Sequence, residues 1–193
     1  RWQLVREHPT GTAAILVDQH GQNEIVVALG ANEYLAADFL RAQTGCFAAA
    51  RVLLCQLENN LDAVGAALEL GASAGCLRLL NPAPVREGTG PELLHRADIV
   101  TPNETEFAQL LARCAAMRID PGVVAQENDA ALHALCRQLG VDTVVVTLGA
   151  RGCFVSHALG ARRGDGESYY RVAPERVQAI DTTGAGDAFS GAL

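Results

Sequence analysis

The segment DTTGAGDAFSGAL, Asp181 to Leu193, sets a carboxylate directly behind a turn that lacks bulky side chains. Gly184, Ala185 and Gly186 precede Asp187, and an apolar, helix-like stretch follows it. Backbone N–H groups at the start of a helix have no partners within the helix and carry the positive end of its dipole. Such a turn can hold an anion, and each well-placed donor can stabilise a charged transition state by roughly 3 kcal/mol. Asp187, at the same turn, can take a proton from a hydroxyl held nearby. The competing reading is a glycine-rich turn with Asp187 as a helix cap. Residue types alone leave both open. A dinucleotide-binding fingerprint is a poor match, because its third glycine would fall on Phe189.

Three other stretches carry polar groups with a possible chemical use. In TPNETE (101–106), Asn103 and Glu106 are three apart, so both can share one helix face and order a magnesium ion through its waters. The same residues also read as a plain helix start, with Thr101 and Glu104 as a capping box and Pro102 in the first turn. In TLGARG (147–152), Gly149 and Gly152 form either a simple turn or a loop that lets a nucleotide approach the backbone, with Arg151 near its phosphates. Glu58, ending RVLLCQLE, is either a solvated strand end or an acceptor for substrate hydroxyls. His8, His20, His95, His133 and His157 are scattered, and none pairs with an acid or cysteine at ligand spacing.

The elements that must position these groups follow from periodicity. Thr12–Val17 and Glu24–Leu29 form a hairpin around the polar turn DQHGQN. From there on, strands are expected at 51–57, 74–82, 97–100 and 142–149. Helices are expected at 61–71, closed by Gly71, near 91–95, over NETEFAQLLARCAAM, and over ENDAALHALCRQLG with Gly140 as its stop. GCFVS and YYRVA suggest an antiparallel pair around a charged loop, ARRGDGE, read as a solvated surface turn; VQAID then leads to the glycine turn. Apolar strands alternating with amphipathic helices imply an α/β fold, a mostly parallel sheet covered on both faces. Ligands of such sheets bind beyond the C-terminal strand ends. QLE (56–58), LNPAP (80–84), TPNETE and TLGARG all fall there.

Composition narrows the chemistry. All 15 basic residues are arginine, which removes a P-loop and any Schiff-base enzyme, since both need lysine. A net charge of −7 argues against nucleic-acid binding. No apolar run reaches the 18 or so residues of a membrane span, and the start, RWQLVREHPTG, lacks a signal-peptide pattern. The six cysteines never fall in C-x-x-C and lie mostly in apolar stretches, which reads as small buried hydrophobes in a reducing cytoplasm.

Together DTTGAGDAFSGAL, TPNETE and VVVTLGARG resemble the signature motifs of the ribokinase, or PfkB-type carbohydrate kinase, family. GQNEIVVALGAN (21–32), QLE and LNPAP look most like the ribokinase branch. The resemblance covers essentially all of residues 1–193 and implies a three-layer ribokinase-like α/β domain, with 12–29 as part of a β lid through which such enzymes dimerise. It implies an ATP-dependent kinase for the 5-hydroxyl of D-ribose. The alternatives are fructose or nucleoside substrates, or a non-catalytic binding relative. By resemblance Asp187 is the base, and Gly184, Ala185 and Gly186 form the anion hole. Asn103, Thr147, Leu148, Gly149, Ala150, Arg151 and Gly152 join Gly186 and Asp187 around ATP. Glu58 and Asp187 contact the sugar, Glu106 organises Mg2+ through water, and Asp181 and Thr183 serve a K+ site. Against the family pattern the sequence lacks a preceding sugar-binding segment and a following adenine-binding portion, so it reads as an internal fragment expected to have little activity alone.

Overall fold

In a computed structural model the described residues form two sheets, one of two strands and one of six, with helices between the strands of the larger. The structure describes residues 2–18, 23–161, 164–175, 177 and 181–193. The centres of the expected turn 18–23 and of VQAID, and two arginines of ARRGDGE, lie outside these residues.

The hairpin forms as expected, β1 (Thr12–Val17) against β2 (Asn23–Ala28), with Thr12 opposite Ala28 and Val17 opposite Asn23. It stands as its own two-stranded sheet, and Ile15, Leu16, Val26 and Val27 are all exposed. Two short helices that periodicity did not indicate follow, α1 (Ala37–Arg41) and α2 (Thr44–Ala48). At about one turn each they are too short to carry an amphipathic signal.

The main domain then runs β3 (Val52–Cys55), α3 (Leu61–Ser73), β4 (Leu77–Leu80), α4 (Pro91–Leu94), β5 (Ile99–Val100), α5 (Glu104–Cys114), α6 (Pro121–Val124), α7 (Asp129–Arg137), β6 (Thr143–Thr147), β7 (Cys153–His157), β8 (Tyr169–Val172) and α8 (Ala185–Ala192). Its strands lie in sequence order; β3 to β6 are parallel, and β7 runs antiparallel to both neighbours. The C-terminal ends of the four parallel strands therefore share one edge. QLE, LNPAP, TPNETE and TLGARG all lie along it.

Alternation along the strands divides the core. Leu80, Val100, Val144 and Val146 face the larger cluster, built with α3, α4, α5, α6 and α7. Leu79, Ile99 and Val145 face the other way, in a smaller cluster that Phe189 of α8 covers. Both faces thus carry helices, but unevenly.

Two expected helix signals are corrected. Gly71 does not close α3, which continues to Ser73. A Cβ at Gly71 would lie 2.8 Å from Leu53 Cδ2, so this glycine serves the close approach of α3 to β3. The capping box of α5 is Asn103 with Glu106, not Thr101 with Glu104. Pro102 explains the offset: its carbonyl accepts the Thr147 N–H at 2.9 Å, holding the chain extended two residues longer than the sequence suggests. Gly140 does sit just past α7, at φ +67°.

Among the histidines, one has a structural role that spacing did not indicate. His157 is buried and bridges two elements, with Nδ1 3.0 Å from Thr143 Oγ1 and Nε2 2.8 Å from Asp165 Oδ2. Tyr170 donates to the same Asp165 oxygen, so the charged loop is anchored rather than merely solvated. Residues eight apart across a turn give no spacing signal. All six cysteines are free; Cys76, Cys136 and Cys153 are buried, Cys55 and Cys114 half-buried, and Cys46 exposed. Burial pushes the Cys136 thiol up to about 12. Among the described residues no helix is long and apolar enough to cross a membrane.

One charged pair ties β4 to the start of β5, at the sheet edge opposite the strand-end motifs. Arg78 of β4 grips Asp98 with Nη2 at 2.8 Å and Nε at 3.0 Å, and the Arg78 backbone N–H donates to the same carboxylate. Both side chains are largely buried, and the carboxylate raises the arginine's already high pKa. Replacing Asp98 by alanine should destabilise the fold by about 2–3 kcal/mol, below the fully buried case because the pair keeps some contact with water. Urea unfolding of the variant against the parent measures it.

Candidate active site

Helix α8 starts at Gly184, whose φ of +75° is the left-handed conformation that favours glycine. Gly184 is thus the cap, and Asp187 lies inside the first turn rather than acting as the cap. The Ala185 N–H is already taken by the Thr182 carbonyl at 3.1 Å. Among the described residues, the N–H groups of Gly184, Gly186 and Asp187 have no acceptor. The donors open to an anion are therefore shifted toward Gly186 and Asp187, with Ala185 contributing shape and not its hydrogen bond. Gly184 to Asp187 are exposed.

The base of α8 is held on the sheet by Phe189, in the smaller cluster, and by Ser190, whose Oγ lies 3.5 Å from Thr101 Oγ1. Opposite, Asn103 and Glu106 start α5 by a reciprocal pair of bonds. Asn103 Oδ1 accepts the Glu106 N–H at 2.8 Å, and Glu106 Oε2 accepts the Asn103 N–H at 2.9 Å. Burial pushes the Glu106 carboxyl above its ordinary range, only partly offset by that N–H. A cation beside it would relieve the deficit. Both the cap and the cleft-facing role suggested by the sequence thus fall on the same two residues.

Thr147 ends β6 and bridges to Asn103. After it, Gly149 and Gly152 adopt φ of +53° and +84°, and the Gly152 carbonyl accepts the Leu148 N–H at 2.8 Å. Leu148 itself points into the main core, and Arg151 is exposed. Asp181 Oδ1 accepts the Thr183 N–H at 2.8 Å, which holds the exposed Asp181 carboxyl below its usual range.

Two cavities meet at the start of α8. One, of about 450 Å³, has Thr147, Gly149, Gly152, Val172 and Pro174 in its walls. The other, of about 240 Å³, has Asp187, Glu106, Thr183, Asn81 and Ile25. Asn103, Thr147, Ala185, Gly186 and Phe189 line both. Glu58, Leu148, Ala150, Arg151 and Asp181 line neither, although Asp181 is bonded to Thr183 in the wall of the smaller one. Asn81, Thr101 and Ser190 are cavity residues that sequence reading missed, though alternation from Leu79 and Ile99 points Asn81 and Thr101 to the α8 side.

A larger concavity, about 930 Å³, lies elsewhere, between α1, α3 and α4. It is an open groove whose Arg96 and Arg41 are paired with Glu69 and Asp38, and none of the strand-end motifs reaches it. Size alone is a poor guide here; the convergence of polar groups selects the α8 pair of cavities.

Residues 2–193 match the pfkB family carbohydrate kinase pattern. A ribokinase of Mus musculus is 38% identical over 97% of this chain, which spans 54% of that relative. A deoxyribokinase of Salmonella typhi is 32% identical over 94% of the chain and 54% of its own length. The structure of Arabidopsis thaliana ribokinase complexed with ribose and ATP superposes with a TM-score of 0.67 at 28% identity, over 96% of this chain and 55% of that one. The chain spans a little over half the length of the curated relatives it matches.

The two loop glycines should respond differently to alanine. A Cβ at Gly152 would lie 1.9 Å from the Val172 carbonyl oxygen, whereas Gly149 faces open space. Gly152→Ala should cost at least about 2 kcal/mol, and Gly149→Ala about 1 kcal/mol from its backbone conformation alone. Thermal unfolding of both variants checks the order.

Proposed function

This chain belongs to the pfkB family of carbohydrate kinases, and from that premise we propose that the full-length protein transfers the γ-phosphoryl group of ATP to the 5-hydroxyl of D-ribose. The observation that carries the reading is the pair of cavities sharing the exposed N-terminus of α8. The larger takes the nucleotide along the Thr147–Gly152 turn, and the smaller takes the sugar beside Asp187. The phosphoryl group passes between them.

In that arrangement Asp187 accepts the hydroxyl proton as the sugar oxygen attacks phosphorus. The bond from the γ-phosphorus to the bridging oxygen breaks, and ADP leaves with the electron pair. The N–H groups of Gly184, Gly186 and Asp187, unpartnered among the described residues, hold the phosphoryl oxygens, so that positioning and fixed dipoles supply the catalysis. Glu106 keeps Oε1 free of the capping box, a donor set that fits Mg2+ carried mainly by phosphates and water. For K+ at Asp181 and Thr183, and for sugar contact by Glu58, the support is the family resemblance alone. The hairpin would act as a lid, since Ile25 already lines the smaller cavity, and its exposed apolar positions suit a homodimer contact. Six free cysteines fit a cytoplasmic enzyme.

A second reading keeps the family and changes the acceptor, because a deoxyribokinase stands among the relatives. Competition of deoxyribose, fructose and adenosine against ribose in the full-length protein separates these. Asp187→Asn should lower kcat by about 10²–10⁴-fold while ATP binding, followed by calorimetry, stays within a few fold. Ordinary turnover in that variant would overturn the assignment.

A further inference from the structure

Asn81 is 94% buried, 6% of its surface remaining accessible. It follows β4 directly, with its backbone N–H on the Cys55 carbonyl at 2.9 Å. Among the described residues its carboxamide has no hydrogen-bond partner, yet the only sealed side-chain polar atom left unpartnered is Arg86 Nε. The Asn81 amide therefore keeps its remaining contact through the smaller cavity, whose wall it forms with Asp187 and Glu106. A buried amide without a partner is costly to leave unsatisfied, so this one is poised for something the cavity receives.

Register defines what it faces. Leu79 and Leu80 pair with Ile99 and Val100, and one step further Asn81 stands beside Thr101. Two residues beyond Leu79, it points to the face that α8 covers. Its neighbour Thr101 is engaged by Ser190 of α8; Asn81 is not. Among the described residues no arginine lines the cavity, and Asp187 and Glu106 supply only acceptors when ionised. An anion there needs N–H donors.

We infer that Asn81 is a further phosphoryl-holding residue, its Nδ2–H donating to an oxygen of the group in transfer from the sheet side while the N-terminus of α8 donates from the helix side. This rests on the kinase reading above and adds a residue to it. Because the bond forms to charge that develops during transfer, it belongs to kcat rather than to sugar affinity.

The test uses the full-length protein with Asn81→Ala and Asn81→Asp, the second keeping the shape of the side chain should alanine fail to fold. Asn81→Ala should lower kcat by about 10²-fold with KM for sugar and ATP nearly unchanged, and Asn81→Asp should lower it further by charge repulsion. Binding of ADP with aluminium fluoride, a mimic of the transferring group, should weaken in both variants while ADP alone binds as in the parent. A parent that phosphorylates no sugar defeats the kinase reading and this inference with it. An active parent whose Asn81 variants keep kcat within about threefold, or lose only sugar affinity, overturns this inference alone.

Discussion

If the proposed kinase reading holds, residues 1–193 must help hold a phosphoryl anion without offering a lysine, and that constraint organises the rest of this structure. Arginine could serve, but among the described residues none lines the cavity that contains Asp187. The main donors left are backbone N–H groups released at the start of a helix and fixed in direction by the fold, with the Asn81 amide facing them. That makes the seating of α8 the decisive packing event. Phe189 anchors the helix on Leu79, Ile99 and Val145, and Ser190 meets Thr101. Gly184 supplies the left-handed turn that leaves the helix end bare.

The sheet serves the same end. Parallel order from β3 to β6 brings four strand ends to one edge, and the Arg78–Asp98 grip holds β4 to the approach of β5. The capping box of α5 then does two things at once. It satisfies two backbone donors, and it fixes the Glu106 carboxyl in a partly buried place where its charge is under-compensated. In the proposed function, a structural cap and a cation-ordering group would therefore be one feature of this fold.

Much of this was legible in the sequence. The hairpin, the strand rhythm from β3 and the antiparallel β7–β8 pair follow from period and turn residues. Asn103, Glu106, Thr147, Gly149, Gly152 and Asp187 come together as the motifs imply. What was not legible depends on contacts between distant segments. The cap of α5 moved by two residues because Pro102 bonds Thr147 across strands. Gly71 reads as a helix stop until Leu53 is placed against it. Ala185 loses its N–H to Thr182, which no residue preference reveals. Asn81 was harder to single out: alternation from Leu79 points it to the α8 side, but only the sheet register sets it beside Thr101.

The central claim is that the transferring group sits on the N-terminus of α8. A crystal structure of the full-length protein with ADP, aluminium fluoride and ribose tests it most directly. The account predicts the fluoride group within about 3 Å of the Gly186 and Asp187 N–H groups, with the Asp187 carboxylate on the ribose 5-oxygen. Aluminium fluoride bound away from α8, as in the groove between α1, α3 and α4, would contradict it.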